Sequence, residues 1–205
     1  MMNNLMEIDD LNLKAIRRNK EKLKNEIIET PVTRINSSYL NKLFSNTEIF
    51  MKLELFQHTG TFKARGALSV ATNIDKEKRK FGITAASAGN HAIAASWAAK
   101  KLGMSAKVVM RSTANSYRVS QANIHDAEII IVDEIDEVFK TANRLVEQEL
   151  RTFIHPFEGI NTTLGTSGVG LEFIETIPDL DAVVVSIGGG GLISGVASSI
   201  KLINP

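Results

Sequence analysis

The sequence predicts an α/β fold, a parallel sheet covered by helices, on three observations. Short strand-like runs alternate with helical segments from Gly82 onward. The run "AVVVSI", residues 182–187, is apolar on both faces, as in a strand packed under helices on either side. The 205 residues, 43% of them hydrophobic, are ample for real cores.

The elements follow in order. "LNLKAIRRNKEKLKNEII" places apolar residues at helical spacing, and Pro31 requires that helix to end near Glu29. "IFMKLEL" predicts a strand over Ile49–Leu53, and the segment around Lys63 leads into a small-residue helix through Asn73. After the charge run "DKEKRK" come strand Gly82–Ala86, helix Ala92–Leu102, strand Ala106–Met110, helix Ser116–Ile124, strand Glu128–Val132 and helix Ile135–Leu150. A strand-like "TFIHPF", a helix over Gly170–Ile177, the strand Ala182–Ile187 and a helix over Ile193–Ile203 complete the pattern. That last unit leaves a parallel sheet with an unfinished edge, so the chain is expected to be a truncated copy of something larger.

Composition limits the chemistry. A net charge of +1 gives no electrostatic reason to expect nucleic acid or an acidic membrane as partner. The chain has no cysteine, which removes disulfides, thiolate nucleophiles and thiolate metal sites. Its four histidines, His58, His91, His125 and His155, show no metal-ligand spacing, so no metal is expected. The N-terminus lacks a continuous apolar segment, which suggests a cytoplasmic protein. Residues 182–200 are uncharged and of membrane-spanning length, but four consecutive glycines argue against a continuous helix there.

Three motifs carry the candidate chemistry. In "SIGGGGLISG" an apolar strand runs into Gly188, Gly189, Gly190 and Gly191 and then directly into a helix. Backbone N–H groups and a positive helix end would meet there, making a phosphate cradle. The spacing fits neither the dinucleotide fingerprint nor the triphosphate loop. In "SAGNHA", Ser87 and Asn90 cap a helix start that could equally present N–H groups and an amide to a carboxylate or phenol-like oxygen. In "TGTFKARGA", Lys63 has Phe62, Ala64, Gly66 and Ala67 as company, suited to a tight pocket of low dielectric. Burial there would lower the amine's pKa and free it to condense with an aldehyde. A phosphate cradle plus a reactive lysine points to pyridoxal phosphate.

In this order and spacing the three motifs, with "HPFEG" and "GVGLE", resemble the serine/threonine dehydratase family of pyridoxal-phosphate enzymes, the fold type II that includes serine racemase and cysteine synthase. The resemblance implies two domains, with 1–73 and 151–205 in a large cofactor-binding domain left incomplete here and 74–150 in a smaller mobile one. It implies that Lys63 carries the cofactor as a Schiff base and is the catalytic residue, with Phe62 packed near the ring. Asn90 would bond the ring hydroxyl, Gly188 to Gly191 would hold the phosphate, and the loop of Ser87, Ala88, Gly89, Asn90 and His91 would receive the substrate carboxylate. The implied reaction is β-elimination from threonine, serine or a related hydroxy amino acid such as hydroxyaspartate or hydroxyectoine, giving a 2-keto acid and ammonia. A homo-oligomer is implied for the full-length protein, and the partner of the pyridine nitrogen would lie beyond Pro205. Ala88 stands where racemases of the family carry a serine, which favours dehydration over racemisation. A catalytically incomplete fragment is the rival expectation.

Overall fold

The computed structural model describes residues 11–205. It opens with helix α1 (Leu13–Leu23), capped by the Asn12 side chain, which accepts from the Ala15 amide at 3.0 Å. The helix stops six residues short of the expected end near Glu29. Strand β1 (Val32–Arg34) and helix α2 (Ser38–Leu43) precede β2 (Phe50–Lys52), which pairs antiparallel with β1. Neither β1 nor α2 was expected, since three to six mixed polar residues set up no readable period.

Helix α3 (Lys63–Thr72) begins at the lysine itself. Strands β3 (Ile83–Ala86), β4 (Ala106–Arg111), β5 (Ala127–Val132) and β6 (Thr152–Phe153) form a parallel sheet in the order β5-β4-β3-β6. The crossovers are α4 (Asn90–Lys101), α5 (Ser116–Ile124) and α6 (Ile135–Glu149). Successive residues serve opposite faces, as the period of two requires. Ile83, Ala85, Val108 and Met110 join a core with Leu68, Ala95 and Ala98 of α3 and α4, while Ala86 and Val109 meet Val138, Ala142 and Leu145 of α6.

Helix α7 (Ile160–Thr176) starts ten residues earlier than expected. Its sequence "INTTLGTSGVG" is polar and glycine-rich, poor helix material by propensity. Packing overrides that, because the helix is buried along most of its length against α1, α3 and α8 (Gly191–Lys201). Small residues allow the contact. A Cβ on Gly165 would lie 2.5 Å from the Arg65 carbonyl, and one on Gly170 2.6 Å from that of Val196.

The expected strand at 182–187 is corrected: it belongs to neither sheet among the described residues. Val184 is 99% exposed and Ile187 70%. A strand exists by virtue of its neighbours, and these residues have none to bond to. No described helix is long and apolar enough to cross a membrane.

Candidate functional site: a lysine facing a glycine turn

The backbone reaches Lys63 through two left-handed residues, Thr59 (φ 60°) and Gly60 (φ 71°). The Thr61 hydroxyl then accepts from the Lys63 amide at 3.3 Å, and α3 begins. The sharp entry aims the lysine side chain into a cleft it shares with Phe62, His91, His155, Thr162 and Gly191. Its Nζ donates to the Pro156 carbonyl at 2.5 Å and lies 5.1 Å from the Phe62 ring centroid. Burial, with no carboxylate opposing it, pushes the amine below the usual lysine range.

Gly191 links this cleft to the glycine turn. Gly190 has φ 89°, left-handed, and no side chain caps α8 behind it. The first-turn N–H groups of that helix therefore have no carbonyl inside the helix to donate to, which makes its start an anion site. At Gly188 and Gly190 a Cβ would meet open space, whereas at Gly189 it would run into the Phe157 ring and at Gly191 approach the Phe157 carbonyl at 2.7 Å. The segment His155–Phe157 thus runs between the lysine and the turn. Thr166 fixes the turn from below, its hydroxyl donating to the Gly191 carbonyl at 2.7 Å.

The "SAGNHA" motif splits in two. His91 is buried in the lysine cleft, its Nε2 2.8 Å from the Ile154 carbonyl, and burial pushes its pKa down to about 4. It is neutral at physiological pH, donating from Nε2 to that carbonyl. Gly89 accompanies it as the residue before α4, its amide donating to the Ser87 hydroxyl at 3.1 Å. Ser87 and Ala88 turn the other way and line a second cavity with Arg111 and Phe139. Asn90 is half-buried, its carboxamide oxygen accepting from Arg118. Lys63, Phe62, His91 and Gly191 are brought together, then, while Ser87 and Ala88 belong to an adjoining space.

Sequence reasoning gave no role to the charges behind the site. Arg65, 2% exposed, bonds Glu172 through Nη1 (2.6 Å) and Nη2 (2.8 Å) and Glu54 through Nε (2.8 Å) and Nη2 (2.9 Å). Lys52 meets Glu172 at 2.6 Å, with both side chains buried. The network ties β2, α3 and α7 together two residues from Lys63. Its signal was available: ionised residues set among small apolar ones in "KLEL", "FKARGA" and "GVGLEF" are almost never buried unless paired.

A family model described as "Pyridoxal-phosphate dependent enzyme" matches residues 23–205. The chain belongs to that family. It is similar to a phenylserine dehydratase of Ralstonia pickettii, 46% identical over 159 residues, covering 78% of this chain and 49% of that protein. An L-threonine ammonia-lyase of Thermotoga maritima is 38% identical over 95% of this chain and 48% of its own length. Among solved structures, a maize serine racemase superposes with a TM-score of 0.89 at 34% identity, covering 95% of this chain and 58% of that one. The chain spans about half the length of the curated relatives it matches.

The cleft itself holds only about 10 Å³, but the chemistry of the residues around it fits the family's cofactor. It pairs a half-buried amine with an open helix start. It also contains Thr162, whose buried hydroxyl has no hydrogen-bond partner. An aldehyde, an anionic phosphate and a ring bearing polar substituents would answer these three features.

Proposed function

We propose that this chain is the lysine-bearing part of a pyridoxal-phosphate-dependent dehydratase that converts a 2-amino-3-hydroxy acid into a 2-keto acid and ammonia. The observation that carries the reading is the shared cleft of Lys63 and Gly191, an amine of lowered basicity facing the start of an uncapped helix.

Lys63 would hold the cofactor aldehyde, and Gly188 to Gly191 with the start of α8 would hold its phosphate. Phe62 would lie near the ring and Asn90 would bond its hydroxyl, exchanging Arg118 for that partner. When bound, the group supplies an electron sink for the charge left on the substrate α-carbon. The protein's own residues do the rest. Lys63 Nζ takes the α-proton, a task to which lowered basicity suits it. His91 stays neutral and so adds no positive charge to compete with the amine for that proton. The loop Ser87 to His91 receives the substrate carboxylate on N–H groups at the start of α4. Ala88 offers no group to return a proton to the opposite face, which favours elimination over racemisation.

The names of the relatives, phenylserine dehydratase and threonine ammonia-lyase, support the reaction class. The reading also places the protein in the cytoplasm, as a homo-oligomer of two-domain subunits in which roughly residues 74–150 move as the smaller unit. The test is reconstitution with pyridoxal phosphate. The visible absorption of the lysine-bound cofactor is expected in the native protein and absent in Lys63→Ala, together with keto-acid formation. Visible absorption that persists in Lys63→Ala removes the lysine from the mechanism.

A further inference from the structure

The second cavity, beside the Ser87–Ala88 turn, holds about 470 Å³ and is walled on one side by α6. The buried stripe of α6 is Val138, Ala142 and Leu145. Phe139 falls off that stripe and is left 42% exposed, facing the cavity. It is nevertheless held in place. Its ring stands at 89° to that of Phe153 with centroids 6.1 Å apart, and 5.9 Å from that of His155. Phe153 and His155 in turn meet edge to face at 5.6 Å. His155 also lines the cleft of Lys63, so the aromatic cluster runs from the cavity to the reacting amine. A fixed aromatic ring with an open face, next to a carboxylate-binding turn, is a wall for another apolar group.

We propose that this cavity receives the β-substituent of the substrate, that Phe139 is its specificity-determining residue, and that the preferred substrate is a 2-amino-3-hydroxy acid with an aryl group on the β-carbon. The inference rests on the dehydratase reading and on the Ser87 turn holding the substrate carboxylate. A methyl group, as in threonine, would leave most of the cavity empty. A second carboxylate, as in hydroxyaspartate, would have Arg111 within the cavity but also Asp136. Lys140 also lines the cavity, paired with Glu137 at 3.5 Å, and Arg111 donates through Nε to the Asp133 carbonyl at 3.3 Å. With Asp136 in the lining and Lys140 paired to Glu137, the charges largely offset one another, and the apolar wall of Ile135, Val138 and Phe139 is what selects an aromatic side chain.

The experiment compares kcat/KM of the cofactor-loaded protein, with its whole natural chain, on 3-phenylserine, threonine and 3-hydroxyaspartate. Calorimetric titration with phenylalanine and 2-aminobutanoate, which lack the leaving hydroxyl, runs alongside. Phenylserine is expected to be favoured over threonine, and Phe139→Ala to lower its kcat/KM about tenfold or more while changing that for threonine less than about threefold. Phenylalanine is expected to bind more tightly than 2-aminobutanoate, with the difference lost in Phe139→Ala. Threonine turnover without aryl preference, or equal losses on both substrates in the variant, overturns the inference and leaves the dehydratase standing. Preference for hydroxyaspartate overturns it in favour of Arg111. If no hydroxy acid is turned over, the dehydratase reading fails by itself; the titration then decides the cavity, and equal binding of the two ligands in native protein and variant overturns it.

Discussion

His91 ties the chemistry of the cleft to the stability of the fold. Its pKa, ordinarily near 6.5, is pushed down to about 4 by burial, so the folded state binds the neutral ring. The stabilisation is complete above the unfolded value and is lost as pH falls from 6.5 towards 4. Between pH 6.5 and 5, where ordinary carboxylates stay ionised, this amounts to about 2 kcal/mol. Burial also lowers His58, His125 and His155, so urea titrations at the two pH values are expected to differ by at least that much, and His91→Asn to reduce the difference without abolishing it. Glu172 poses the opposite case, a buried charge held by two cations, Arg65 and Lys52. Glu172→Gln leaves them short of an anion and is expected to cost about 3–5 kcal/mol, read as a lowered urea midpoint at unchanged slope.

Helices α7 and α8 touch through backbone rather than through side chains. A Cβ on Gly195 would collide with the Thr166 hydroxyl and lie 2.5 Å from the Ser167 amide. Gly195→Ala is therefore expected to destabilise by about 1–3 kcal/mol through overpacking. It is also expected to loosen phosphate affinity, measurable by titration of the reconstituted protein, since Thr166 is what supports Gly191. These contacts mark the limit of what the sequence discloses. The regular strands and helices from Ile83 to Glu149 were legible because their periods are long and clean. The N-terminal half of α7 was not, because "INTTLGTSG" argues locally against a helix and only neighbours about 30 to 150 residues away argue for one. In the cleft, Lys63, His91 and Gly191 were each singled out in the sequence, His91 for the substrate carboxylate and not as a neighbour of the lysine. His155, Thr162 and Phe157 were not assigned roles, since a histidine or threonine acquires one only from what folding brings beside it. The strand expected at 182–187 failed for the converse reason: its β-branched run is sound, but pairing is a property of two strands.

That unpaired segment matters for the whole molecule. Residues 182–187 are extended and apolar, with Val184 almost wholly exposed, and such a backbone is a template for another strand. The 205-residue chain is expected to self-associate as concentration rises, and Val184→Lys to shift its sedimentation towards the monomer without altering the cleft. The proposed division into a larger and a smaller unit adds a mechanical condition. Lys63 is the first residue of α3, and Arg65, two positions on, is clamped to the helix and loop on either side of it. The amine is thus mounted beside a buried ion-pair network, while the turn proposed to bind the substrate carboxylate follows a strand of the neighbouring sheet. Any swing of that sheet would bring substrate to a stationary base, so alignment for proton removal would depend on one moving partner instead of two.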